Sequence, residues 1–200
     1  MNLPNKITLV RMFSIPFIAF FYLADFIPGG WGKIIALIIF AITGITDFLD
    51  GYIARKYNLV TDLGKFLDPI ADKLHMCTGL LLVVADGTIM APYGVIMAII
   101  IIAREFIVST LRMVAASKNV VLAADILGKI KANFQPVGIA VFMFLAINNA
   151  SVKPFLGGAT LAVEIIGFVL MGLATLFTVI SAINYLVKNW KVFSEGKKWN

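Results

Sequence analysis

Residues 94–111 read GVIMAIIIIAREFIVSTL, eighteen positions in which only Arg104 and Glu105 carry charge. With Tyr93 before it and Arg112 followed by MVAA after it, the run is long and apolar enough for an α-helix that crosses a hydrocarbon layer about 30 Å thick. Two further stretches have the same character, KIIALIIFAITGI from Lys33 and IIGFVLMGLATLFTVISAINYLV from Ile165. Over all 200 residues 60% are hydrophobic and 14% charged, where a soluble domain carries roughly a quarter charged residues. The mean hydropathy is +0.96. These features predict an all-α integral membrane bundle and exclude a soluble globular class.

Six apolar segments are expected as transmembrane helices, at about 8–27, 33–55, 67–85, 93–116, 131–149 and 156–187. The turn signals IPGGWG, DGTIMAPYG and NNASVKP and the polar stretches 56–66 and 117–130 separate them. An even number of spans puts both termini on the side of those two polar stretches. That side receives every lysine and arginine near a helix end except Lys33 and Lys153, so the positive-inside rule makes it cytoplasmic. The net charge of +6 then forms a collar suited to anionic headgroups of the bilayer. No nucleic-acid partner is expected. The run after Lys6 and Arg11 ends in DFIPGG with no small-x-small cleavage site, which predicts an uncleaved first helix. Residues 1–200 form one membrane domain with a juxtamembrane segment at about 1–7, and the lone Cys77 excludes an internal disulfide.

The polar residues concentrate in DFLDGYIARKYNLVTDLGKFLDPIADK, residues 47–73. Asp47 and Asp50 stand i, i+3 on one helix face, with Gly51, Ala54 and Arg55 beside them. Asp68 and Asp72 stand i, i+4 at the start of the next helix, one turn after Gly64. Two neighbouring antiparallel helices would then offer two carboxylates each to a common point. Four such groups stay ionised together only around positive charge, and hard divalent cations with oxygen ligands supply it. Small residues let a large ligand approach the backbone, and Arg55 offers a fixed fork to phosphate oxygens. The alternative is that single aspartates, Asp62 among them, are simply solvated in the interface.

The spacing Asp47-x2-Asp50-Gly51-x2-Ala54-Arg55-x8-Gly64-x3-Asp68-x3-Asp72 resembles the full signature of the CDP-alcohol phosphotransferases, membrane enzymes of phospholipid synthesis. The flanks NLPNKITLVRM, LDPIADK, IIAREF and GKIKA resemble the bacterial phosphatidylglycerophosphate synthases, with Ala132 where that group usually has threonine. The resemblance implies transfer of a phosphatidyl group from CDP-diacylglycerol to sn-glycerol 3-phosphate with release of CMP, in the bacterial cytoplasmic membrane, by a homodimer with its active site facing the cytoplasm. It implies two divalent cations, Mg²⁺ or Mn²⁺, on Asp47, Asp50, Asp68 and Asp72, with Asp72 also the general base. It places Gly51, Ala54, Arg55 and Gly64 at the nucleotide and its pyrophosphate, and Asn5, Thr8 and Arg11 near them.

A phosphorylated acceptor needs cations, and Arg104, Arg112, Lys129 and Lys131 are the candidates, with Lys73 next to the base. Charge inside a span is expensive and marks function by default. Arg104 could instead pair with Glu105 or a helix carbonyl in a structural role, and Arg112 and Lys131 could be plain positive-inside residues. His75, i+3 from Asp72, could touch the acceptor or orient a carboxylate, or is merely hydrogen-bonded at a helix interface. Other acceptors (inositol phosphate, serine or phosphatidylglycerol) remain open. A divalent-cation transporter is the remoter alternative, opposed by the clustering of the carboxylates at helix ends rather than near the membrane midplane.

Overall fold

The structure, a computed structural model, describes residues 3–56, 61–89, 92–117, 126–151 and 154–194. Within these, the side chains of 3–4, 48–55, 62–63, 65, 116–117, 126–130 and 189–194 are outside the description. Six α-helices follow one another: α1 (Leu3–Leu23), α2 (Trp31–Lys56), α3 (Asp62–Ala85), α4 (Tyr93–Ser117), α5 (Ile126–Ala150) and α6 (Thr160–Ser194). No strand occurs among the described residues.

The helix starts follow local chemistry. A single 3₁₀ turn, Pro28–Gly30, leads into α2, and Gly29 and Gly30 take the positive φ values of 68° and 79° that reverse the chain. Thr61 caps α3, its Oγ1 accepting from the Gly64 amide at 3.0 Å. Pro16 and Pro136 sit inside unbroken helices. At 35 residues, α6 is about 50 Å long at 1.5 Å per residue, longer than a bilayer core and consistent with the long sixth segment.

Four helical stretches among the described residues are long and apolar enough to cross a membrane: Asn5–Leu23, Pro28–Asp47, Tyr93–Ala115 and Gly157–Lys188. The α3 and α5 helices fall short of that standard. Asp68, Asp72 and Lys73 interrupt the first half of α3, and Lys131, Asn133 and Gln135 that of α5. Both helices carry polar groups into the bundle, His75 from α3 and Lys131 and Gln135 from α5.

The surface and the interior are inverted relative to a soluble protein. Phe13, Phe17 and Phe20 of α1, Ile38, Ile42 and Ile45 of α2, and Ile165, Ile166 and Val169 of α6 are exposed. Arg11, His75, Lys131, Gln135 and Ser181 are buried. Contiguous exposed apolar surface on this scale suits lipid, not water.

Helix α1 packs extensively against both α2 and α3. The expected neighbours α2 and α3 do meet, where Phe40 lies on His75 and against Gly79, and α1 lies against both of them. Helix α5 packs on α6 and reaches α2 and α3, and α4 joins α6 to α3. Ile18, Tyr22, Phe40, Leu80, Ile139, Phe142 and Met171 form the centre of the core. Helices approach closely where side chains vanish, as is usual in membrane bundles. A Cβ on Gly79 would lie 2.5 Å from the Phe40 ring, and one on Gly32 would lie 2.4 Å from the Phe21 carbonyl oxygen.

At the end away from the aspartates, Lys33 of α2 pairs with Asp86 after α3, and its ammonium lies 4.9 Å from the centre of the Tyr22 ring on α1. Thr88 donates to the second oxygen of Asp86 at 2.6 Å. Lys33, an exception to the charge asymmetry, is thus neutralised within the protein.

Gly32→Ala should lower the melting temperature in detergent, because overpacking against a backbone atom costs about 1–3 kcal/mol. Gly172→Ala, whose added Cβ meets nothing within 4 Å, should melt at or above the wild-type temperature. Equal melting of both variants would remove the case for close α1–α2 contact.

Candidate active site

One face of α1 organises the aspartate end. Asn5, Thr8 and Arg11 recur every three residues and are all buried. Arg11 forms an ion pair with Asp47 of α2. Thr8 donates from Oγ1 to Asp68 Oδ1 of α3 at 2.7 Å. Asn5 Oδ1 accepts from Thr61 Oγ1 at 2.9 Å, tying α1 to the cap of α3. Gly64 has a steric reason for being glycine, since its Cβ would fall 2.9 Å from Asn5 Oδ1. The expected nucleotide residues Asn5, Thr8 and Gly64 therefore gather at the aspartate end.

The second half of the site is a cavity of about 170 Å³ between α3, α4 and α5. Asp72, Lys73, Arg104, Glu105, Lys131 and Gln135 supply its polar lining. Lys131 forms an ion pair with Glu105, and Arg104 Nη1 reaches the same Glu105 oxygen at 3.4 Å. Arg104 Nη2 donates to Ser181 Oγ on α6 at 2.7 Å, and its buried Nε has no hydrogen-bond partner among the described residues. Both readings of Arg104 thus meet in one place: it pairs with Glu105, and it faces the cavity that holds Asp72. Ala132, the one departure from the expected GKIKT-like stretch, also lines the cavity.

The remaining expected residues divide into two groups. Arg112 lies outside the lining of this cavity, its guanidinium 5.5 Å from the centre of the Tyr185 ring. The side chains of Asp50, Ala54, Arg55 and Lys129, and the surroundings of Gly51, fall outside the described residues, although α2 and α5 run through all five positions.

Among the described residues no three His, Cys, Asp or Glu side chains are grouped as a metal-ligand set, and Asp50 is not among them. The chemistry of the donors does fit a hard divalent cation. Asp47, Asp68 and Asp72 present only carboxylate oxygens, and the negative charge on Asp47 is already answered by a buried cation.

His75 takes the bland of its two readings. It is buried and stacked on Phe40 of α2 with ring centres 4.2 Å apart. Thr43 Oγ1 donates to the carbonyls of Ile39 and Phe40 at 2.8 and 2.9 Å and lies 3.1 Å from His75 Nδ1. The Thr43 hydroxyl thus holds the imidazole edge at the α2–α3 contact.

Glu105, Gln135 and Ser181 were not expected at the site. Gln135 stands i+4 from Lys131 on the same face of α5, a signal the sequence does carry. Nothing near Ser181 in the sequence marks it.

The sequence profile of the family described as CDP-alcohol phosphatidyltransferase matches residues 1–187. A Bacillus subtilis protein named CDP-diacylglycerol–glycerol-3-phosphate 3-phosphatidyltransferase is 39% identical, the match covering 95% of this chain and 96% of that one. Proteins of the same name from Rickettsia felis and Rickettsia typhi are 35% and 34% identical, covering 96% and 92% of this chain and 97% and 94% of theirs.

Arg11→Met should lower thermal stability in metal-free buffer. The loss expected is about 1–3 kcal/mol, below the roughly 3–5 kcal/mol of breaking a fully buried pair, because Asp47 is 41% exposed. An unchanged melting temperature would show that the pair contributes nothing.

Proposed function

The chain belongs to the CDP-alcohol phosphatidyltransferase family, and we propose that it transfers the phosphatidyl group of CDP-diacylglycerol to sn-glycerol 3-phosphate. The products are phosphatidylglycerophosphate and CMP. The observation that carries this reading is the cavity in which the Asp72 carboxylate shares walls with Arg104 and Lys131. A carboxylate that accepts a proton beside cations that accept a phosphate is what an acceptor such as glycerol phosphate requires. The names of the relatives, which specify that acceptor, support it.

In this mechanism the acceptor phosphate sits against Arg104 and Lys131, with Lys129 about half a turn away on α5. Arg104 offers two-pronged donors and Lys131 a point charge. The acceptor hydroxyl is thereby held near Asp72, which takes its proton as the new oxygen–phosphorus bond forms. The bond from that phosphorus to CMP breaks, and CMP leaves with the electron pair. Asp47, Asp50, Asp68 and Asp72 would hold two divalent cations, Mg²⁺ or Mn²⁺, which supply Lewis acidity toward the diphosphate. Gly51, Ala54, Arg55, Gly64, Asn5 and Thr8 bind the nucleotide and its diphosphate. Arg11 fixes Asp47 from α1, and Arg112 adds positive charge further along α4.

The same reading makes residues 1–200 one domain of six spans, α3 and α5 included, in the bacterial cytoplasmic membrane. The polar interruptions of α3 and α5 then mark the helices that line the site. Both termini and the aspartate end face the cytoplasm, as the distribution of lysine and arginine supports. The functional unit is a homodimer, on the family resemblance.

Purified protein with CDP-diacylglycerol, Mg²⁺ or Mn²⁺ and a panel of acceptors should release CMP with sn-glycerol 3-phosphate, and EDTA should stop it. Asp72→Asn should cut turnover by about 10²-fold or more, the scale of a lost general base. CMP release with serine or inositol phosphate and none with glycerol 3-phosphate would overturn the acceptor. Arg104→Ala should raise the KM for glycerol 3-phosphate while leaving CDP-diacylglycerol binding intact.

A further inference from the structure

Glu105 has no part in the chemistry assigned so far, yet the buried cations of the cavity converge on it. A single oxygen, Oε1, pairs with Lys131 Nζ from α5 and with Arg104 Nη1 at 3.4 Å. The Lys131 side chain is 4% exposed and that of Arg104 is 12% exposed. Two such cations repel each other strongly where water is scarce. Long, flexible side chains released from a shared counterion would separate toward other acceptors. Ser181 anchors the far side of the guanidinium at 2.7 Å, so Arg104 is held from both edges.

The pairs leave donors to spare. An ammonium has three N–H groups and a guanidinium five, and Glu105 and Ser181 occupy only some of them. The Arg104 Nε is buried with no acceptor among the described residues, so the guanidinium keeps an unmet donor while the residue lines the Asp72 cavity.

We propose that Glu105 is a positioning residue for the acceptor: it draws the Lys131 ammonium and the Arg104 guanidinium together at one wall of the Asp72 cavity, so that a phosphate monoester meets both at once. This rests on the reading of that cavity as the acceptor site. Holding the cations in place before the ligand arrives removes the ordering cost from binding. The competing account is a structural ion pair that steadies α4 against α5 and has no bearing on the ligand.

Glu105→Gln keeps the size of the side chain and one oxygen acceptor but removes the charge. It should raise the KM for sn-glycerol 3-phosphate by about tenfold or more, as breaking one partner of a buried pair is costly. The KM for CDP-diacylglycerol should not move, and Glu105→Asp should restore part of the loss. Stabilisation of the protein by sn-glycerol 3-phosphate alone, read as a thermal shift without donor lipid, should be present in wild type and absent in Glu105→Gln. A wild-type KM for the acceptor in Glu105→Gln overturns the proposal. So does an equal rise in both KM values with a lowered melting temperature, the mark of the structural account. If Glu105→Gln does not fold, Glu105→Ser, which also removes the charge, carries the test, and a wild-type acceptor KM there sinks the idea. A wild-type protein that binds glycerol 3-phosphate through Glu105 but never releases CMP overturns the assigned reaction instead, and leaves this inference standing.

Discussion

Charge inside an apolar bundle has to be answered within the protein, and that constraint shapes everything at the aspartate end. A carboxylate or ammonium removed from water is tolerated only beside a partner of opposite sign or a dense set of hydrogen bonds. Each buried ionic group here obeys the rule through a different helix. Arg11 of α1 answers Asp47 of α2, Glu105 of α4 answers Lys131 of α5, and Ser181 of α6 takes a nitrogen of Arg104. The helices are tied where the charge is, so the site and the scaffold are one construction.

The role of α1 follows from this. A first helix rich in phenylalanine reads as a simple lipid-facing anchor, and Phe13, Phe17 and Phe20 do face outward. Its opposite face carries Asn5, Thr8 and Arg11. By packing on both α2 and α3, the helix contributes a neutral amide, a hydroxyl and a cation to the region where the aspartates lie. Two acidic helices pressed directly together would repel. With α1 against both, Asp47 and Asp68 each have a polar partner from a third element.

Much of this was legible in the residues. Helix number and order followed from the apolar runs, and the ends of α2 and α4 fell within a few residues of expectation, because length and hydropathy decide them. The aspartate, arginine and lysine candidates Asp72, Arg104 and Lys131 do share a cavity, since i, i+4 spacing on α3 and one charged pair in a run of isoleucines leave few other arrangements. What escaped was relative placement across helices. Nothing local in the sequence says that α1 packs on both α2 and α3, that Arg112 stacks on Tyr185, or that Ser181 receives Arg104. Those are facts of tertiary packing between segments many residues apart. His75 was ambiguous for the same reason: its partners Phe40 and Thr43 lie on another helix.

The clasp of Lys33, Asp86 and Tyr22 has a mechanical meaning. It joins α1, α2 and the end of α3 at one extremity, while the carboxylates sit at the other. Arg11 on Asp47 and Thr8 on Asp68 fasten the same three helices at that other extremity. Rods clamped at both ends resist splaying, so the width of the gap that a bulky ligand meets is set before it arrives.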